Sequence, residues 1–416
     1  MTTYAQTNEP ATSTVPGAQG VETPALKLTC KQEDLARALS VVRNAVLERS
    51  TVPILSGILV ATDGGRLRVS ATSLEIGIQV WIDAQIEHEG TTVLPATLLT
   101  KMVGLLPQKI LTLTIPFGSQ TLNLTCEGSN TNIRGVDPRE FPVIPGIERN
   151  VETPIALDAG LLKAMIGQVA FAAENDVSKA VMSSILMSFD DGRLIFAAAN
   201  TVRLAERRAP LPGVTVTQPV LIPARNLTEL ARVLPSQGQV KVVVVGEQRN
   251  QVVFHLEQGE RIDFVTRVVE GNYPNYKNIL PKEHATRVVV ATKEFAAALE
   301  RASLYAVDKM KSVRLTIRGA GTNGNLFGTL TIEADNDDLG NHVSAIQAEV
   351  SGPVLQQVIY FNVEYLSQHL SHIDSPQVAL EVNTQGRPAL LKPVSDTDYT
   401  SMVQTMHFKD QPAAAG

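Results

Sequence analysis

Residues 52–80 run VPILSGILVATDGGRLRVSATSLEIGIQV and read as two strands joined by a tight turn, then a third strand. Ile58 and Val60 alternate with neighbours of other character. Asp63-Gly64-Gly65 supplies residues that tolerate positive φ, as a tight hairpin turn requires. Leu67, Val69 and Ala71 then share one face, and Leu74, Ile76, Ile78 and Val80 resume the alternation. The layout returns at 183–208, SSILMSFDDGRLIFAAANTVRLAERR, with Asp191-Gly192 at the turn. A weaker copy starts at Ser312, with Asn323-Gly324 at its turn. Ile58 and Ile185 lie 127 residues apart, and Val313 follows Ile185 by 128. A period this long fits whole domains rather than solenoid repeats.

A helix recurs with each hairpin. QEDLARALSVVRNAV places Leu35, Leu39, Val42 and Val46 on one stripe, and AGLLKAMIGQVAFAA does so with Leu162, Met165, Ile166 and Val169. KEFAAALERASLYA repeats the stripe with Phe295, Ala298, Leu299 and Ala302. A second helix follows each hairpin, starting near Leu94, Ile222 and Phe361, with Pro95 and Pro223 expected in the first turn. Each unit thus reads β-α-β-β-β-α-β-β, an α+β domain with helices on one side of an antiparallel sheet. The expected division is a disordered tail at 1–24, domains at 25–146, 147–281 and 282–408, and a tail at 409–416. Proline-rich connectors, 136–146 and 270–282, stiffen the joins.

The 416 residues are 44% hydrophobic and 19% charged, the composition of a soluble globular protein. No apolar run approaches a membrane span, and the N-terminus lacks the layout of a secretory signal. Two cysteines, Cys30 and Cys126, cannot make a disulfide framework, so a reducing cytoplasm is expected. A net charge of −6 argues against a nucleic-acid-coated protein but allows basic residues confined to one face.

A search for chemistry returns little. Residues 319–324, GAGTNG, match GxGxxG, but a strand follows where a dinucleotide site needs a helix, so a hairpin loop is the better reading. His369 and His372 are three apart with no third ligand nearby, and read as two surface histidines. Asp335, Asp337 and Asp338 lack the glycine and closing glutamate of a calcium loop and read as a solvated loop. No cofactor or metal is expected, and a binding or scaffold role is favoured over catalysis. Arg49, Lys179, and Lys309 with Lys311 occupy the same loop in the three units. They could line a common face that touches phosphates without sequence preference. Chance gives the same pattern, since Lys and Arg are 36 of 416 residues and loops favour them.

RSTVPILSGILV (49–60), GVDPREFPVIP (135–145), VTRVVEGNYPNYKNILPK (265–282) and IYFNVEYLSQHL (359–370) resemble the bacterial sliding clamp family, the beta subunit of DNA polymerase III. The likeness runs from about Leu26 to Phe408. It implies three tandem clamp domains with sheets outside and two helices per domain inside. It also implies a head-to-tail homodimer closing a six-domain ring on double-stranded DNA, and a processivity role without catalysis. Arg49 matches a DNA-contacting arginine of the family, and Lys179 matches a basic position more loosely. The dimer contact is expected near Leu304 and Tyr305.

The family carries a pocket for short peptides of polymerase subunits, the clamp loader and repair proteins. By position its wall includes Met182, Thr201, Val202, Leu204, Pro274, Ile279, Pro388, Met402 and Met406. Two departures fall on it. Ala199-Asn200-Thr201-Val202-Arg203-Leu204 stands where most members read TDGHRL, and Gln404-Thr405-Met406-His407-Phe408 replaces an MPMRL-like end, with eight more residues after it. A divergent paralogue with an altered pocket and a specialised role is therefore a second reading, and an enzyme with a dispersed active site a third.

Overall fold

The computed structural model describes residues 25–147, 154–213, 218–245, 250–319, 327–353, 356–383 and 386–406. Both tails, the Asn323-Gly324 turn and His407-Phe408 lie outside them. Two compact units result. Of the described residues, one holds 25–40, 48–69 and 82–141; the other holds 41–47, 70–81 and those from 142 on.

The hairpin turns form as read. Gly64 and Gly65 take φ of +57° and +76°, and Asp191 and Gly192 take +48° and +68°. Both pairs lie in the left-handed region that a two-residue hairpin needs. Leu74 departs from the expected alternation: it is 47% exposed with φ +71°, in a bend where its N–H donates to Thr72 Oγ1 at 3.0 Å. The strands flanking residues 320–326, Ser312–Arg318 and Phe327–Asn336, pair antiparallel, as a hairpin reading of GAGTNG requires.

Six helices are described: α1 (Gln32–Val42), α2 (Ala96–Leu105), α3 (Ala159–Ala170), α4 (Ala224–Val233), α5 (Thr292–Ser303) and α6 (Val363–Ser371). The apolar stripes of α3 and α5 are fully buried, as is that of α1 except Val46, which follows a short 3-10 turn and is half-buried. Asp158 caps α3 by accepting from Leu161 N at 2.7 Å, and Asn362 caps α6 through Tyr365 N at 3.1 Å.

The strand count exceeds the expected one. Thr91–Pro95, Val220–Pro223 and Gln356–Asn362 run directly into α2, α4 and α6. Pro95 and Pro223 are therefore the last strand residues and helix caps, not first-turn residues. A further strand closes each domain: Ser129–Arg134, Glu260–Arg267 and Tyr399–Val403. Each domain is thus two copies of strand–helix–three strands, with one extra strand, Gln85–His88, in the first.

In the first unit, Gln85–His88, Leu26–Lys31, Ile110–Ile115, Thr121–Cys126 and Ser129–Arg134 form an antiparallel sheet in that order. In the second, a twelve-stranded sheet runs without a break from Val220–Pro223 to Gln356–Asn362. Its fourth and fifth strands, Arg203–Pro210 and Tyr399–Val403, pair with each other. A second sheet holds Gln239–Val245, Gln251–Gln258 and Glu260–Arg267, and the last of these pairs with Ile76–Ile82.

Candidate functional site

The pairing of Arg203–Pro210 with Tyr399–Val403 sets Leu204 opposite Met402, and Met402 is in turn opposite Leu390. On the other side Leu204 faces Ala199. Side chains alternate across a strand, so Ala197, Ala199, Leu204, Leu390 and Met402 meet on one face. They form a buried cluster with Tyr276, against which Met182, Leu186, Tyr273 and Leu280 pack half-buried. The alanines keep the floor low.

The connector crosses this floor as a strap. Its 3-10 turn, Tyr276–Asn278, is buried at Tyr276, whereas Pro274 and Ile279 on either side are exposed. Tyr273 Oη accepts from Ala199 N at 2.8 Å, and burial pushes its hydroxyl up to about 12. The prolines thus frame a segment that packs on the sheet rather than a free linker. The turn before Leu204 is closed by Asn200, whose Oδ1 accepts from Val202 N at 3.0 Å and Arg203 N at 2.8 Å.

Of the expected wall residues, Met182, Leu204 and Met402 enter the cluster. Thr201 and Val202 sit on the turn, exposed and half-buried, and Val202 O accepts from Gln404 N at 2.9 Å. Pro388 is half-buried just ahead of its strand. Met406 lies beside Tyr360, to whose carbonyl its N–H donates at 2.8 Å, and is not in the cluster. Sequence reasoning missed Ala197, Ala199, Leu186, Tyr273, Tyr276, Leu280 and Leu390. The small-residue run 197–199 and the two tyrosines of the strap were the available signals.

The expected DNA-facing cations divide. Arg49 and Lys309 are exposed and make no ion pair among the described residues. Lys179 Nζ lies 3.6 Å from Glu174 Oε2, and Lys311 Nζ pairs with Glu364 Oε1. Leu304 is 68% exposed, and Tyr305 is half-buried with its ring stacked on His342 at 5.8 Å. Beside them, the strand Gly340–Ser351 pairs with Thr286–Ala291 only at Glu349–Ser351. Residues 340–348 therefore present an open edge on that side among the described residues.

His369 corrects the surface reading of the two histidines. It is fully buried on α6, edge-on to Phe171 at 4.9 Å, while His372 stacks on the same ring at 4.2 Å. Neither His369 nitrogen has a hydrogen-bond partner among the described residues. Burial first, then the charge of Arg203, pulls its pKa down to about 3. Asp337 and Asp338 lie at an exposed hairpin tip, where Asp338 N donates to Asn336 Oδ1 at 3.0 Å. Among the described residues no three metal-ligating side chains converge, and no helix is long and apolar enough to cross a membrane.

Family models of the DNA polymerase III beta subunit match in order along the chain. The N-terminal domain matches 26–145, the central domain 156–275 and the C-terminal domain 277–407. The chain belongs to the DNA polymerase III beta-subunit family, the sliding clamps. It is a non-catalytic processivity factor of DNA polymerase III. The beta sliding clamp of Synechocystis is 32% identical over 402 residues, covering 92% of this chain and all of the relative. The sliding clamp structure from Bacillus subtilis superposes with a TM-score of 0.84 at 25% identity, covering 92% of this chain and 100% of that one. The Caulobacter crescentus clamp gives 0.82 at 26% identity, covering 92% and 99%. The strap lies where the central and C-terminal matches meet.

Proposed function

We propose that the chain pairs head to tail with a second copy, in the cytoplasm, to close a six-domain ring on duplex DNA. The pocket around Leu204 and Met402 then receives short peptides of polymerase subunits, the clamp loader and other partners. One observation carries the pocket reading: a buried apolar floor is met by half-buried Met182 and by exposed Ile279 on a strap that crosses it. Such an arrangement suits leucine and phenylalanine anchors of an extended peptide. The domain limits 25–146, 147–281 and 282–408 accompany this reading.

Two open strand edges support the dimer. One is 340–348, with Leu304 and Val343 exposed beside it. The other is Ser129–Arg134, which ends its sheet and whose Asn130 and Asn132 both accept from Asn123 Nδ2. A head-to-tail closure needs two different, complementary surfaces on each copy. Light scattering on a sizing column across a dilution series tests it. Twice the 44.8 kDa chain mass is expected down to low concentration. A single-chain mass throughout would sink the ring.

Retention on nicked circular DNA tests the phosphate contacts. Arg49→Ala and Lys309→Ala are each expected to shrink the slope of log affinity against log salt by about one. Lys179→Ala and Lys311→Ala should do less, because each lysine already has a carboxylate partner. Equal slopes for all four variants and the wild type would remove these residues from the DNA face.

The turn residues Asn200, Thr201 and Val202 favour a second reading, a paralogue with its own partner set. A clamp-binding peptide that shows no measurable affinity would select it.

A further inference from the structure

The strand that supplies the pocket floor carries a buried acid. Leu204, Glu206 and Arg208 share one face of Arg203–Pro210, and Glu206 is 3% exposed. A carboxylate in such a place is costly unless its oxygens are paired. Both are: Oε1 accepts from Arg208 Nε at 2.7 Å, and Oε2 accepts from the hydroxyl of Tyr276. Burial first, then Glu206, pushes the Tyr276 hydroxyl above its ordinary range, so it keeps its proton and remains the donor.

Tyr276 is also the residue on which the strap turns. Its N–H donates to Pro274 O at 2.7 Å, and Ile279 N donates back to Tyr276 O at 3.0 Å. Whatever fixes the Tyr276 ring therefore fixes the two exposed residues beside it. Among the described residues a second side-chain anchor reaches the strap turn, Lys277 Nζ to Asp190 Oδ2 at 3.2 Å; it is exposed on both sides and holds weakly.

We propose that Glu206 and Tyr276 are positioning residues for peptide binding: their hydrogen bond, backed by Arg208, holds the strap 273–279 at the separation from Leu204 and Met402 that fits the peptide's apolar anchors. This rests on the reading of the pocket as the peptide site. Without the tie, the strap keeps the Tyr273 bond and its packing but is placed less closely, and the peptide must supply part of its ordering. That cost appears as weaker affinity, faster dissociation and looser discrimination between anchors.

The test uses the full chain and two fluorescein-labelled pentapeptides, one ending in Leu-Phe and its counterpart ending in Leu-Ala, followed by anisotropy and stopped flow. Tyr276→Phe and Glu206→Leu are expected to weaken the phenylalanine peptide about tenfold. Most of that should come from dissociation, and preference for phenylalanine over alanine should narrow. Glu206→Gln keeps an acceptor for the Tyr276 hydroxyl and should retain most of the affinity and the preference. Met182→Ala removes a wall side chain directly and serves as the control for the pocket. If Met182→Ala weakens binding while Tyr276→Phe and Glu206→Leu behave as wild type, the positioning role is overturned and the pocket stands. A uniform loss with unchanged preference also overturns it, since that marks a merely structural role. If Met182→Ala binds as wild type, the pocket reading falls and this inference with it.

Discussion

Asp263→Ala is expected to lose about 1–3 kcal/mol of stability, the range for leaving a buried polar group without its hydrogen-bond partner. Asp263 is fully buried, and its Oδ1 lies 2.5 Å from His255 Nδ1 across the strand pair Gln251–Gln258 and Glu260–Arg267. His255 is itself 5% exposed. Arg261 adds to the group, with Nη2 3.7 Å from Asp263 Oδ2 and its guanidinium 4.1 Å above the Trp81 ring. Arg261 and Trp81 face each other in the strand register. Removing the carboxylate thus strands an imidazole in the interior and loosens the cation stacked on Trp81. Trp81 is the chain's one tryptophan, so its fluorescence during denaturant unfolding reports this region directly. Asp263→Asn keeps the shape and an acceptor and should lose less. A loss under about 1 kcal/mol for Asp263→Ala would mean the pair contributes no more than a surface bridge.

Acid should destabilise the fold through His369. In the unfolded chain its imidazole takes up a proton below the ordinary histidine value of 6.5; in the fold it does not until about 3. A base whose folded pKa is depressed costs stability as pH falls between those values, and adds nothing above the upper one. The slope is about 1.4 kcal/mol per pH unit, so roughly 2 kcal/mol disappears between pH 7 and pH 5. The charged neighbour in the fold is Arg203, whose guanidinium lies over Tyr365 at 4.9 Å and hydrogen-bonds Gln368 Oε1. The titratable neighbour is His372, across Phe171. His369→Leu replaces two unpaired ring nitrogens by methyl groups. Its urea midpoint should therefore fall less steeply with acid than that of the wild type. Parallel curves would show that His369 does not set the acid limb.

What could be read before folding was local. Gly64-Gly65 and Asp191-Gly192 gave their turns away because only a few residue types tolerate left-handed backbone. The stripe of α3 was legible because Leu162, Met165, Ile166 and Val169 repeat at helical spacing. The strands ahead of α2, α4 and α6 were not, because Thr91–Pro95 and Val220–Pro223 are too short to show an alternation before the helix begins. The pocket was legible only where the family resemblance pointed. Its floor joins Ala199, Leu204, Leu390 and Met402 through a sheet register that no local pattern carries. His369 looked like a solvent residue because helical spacing alone does not reveal that Phe171 of another domain covers it. Glu206 was invisible for the opposite reason: an acid in a strand of alternating character reads as outward-facing, and only Tyr276 and Arg208 make the inward position tolerable.

The doubling of strand–helix–three strands within each domain has an evolutionary consequence. The chain spells one small motif six times. Each copy has the same task of laying a helix on its strands, and no copy must hold a reacting atom. Selection can then act on an apolar skeleton rather than on particular letters, so a copy is free to drift while its interior volume is kept. Such latitude explains how a fold shared with the Bacillus subtilis clamp at a TM-score of 0.84 is encoded with three residues in four different.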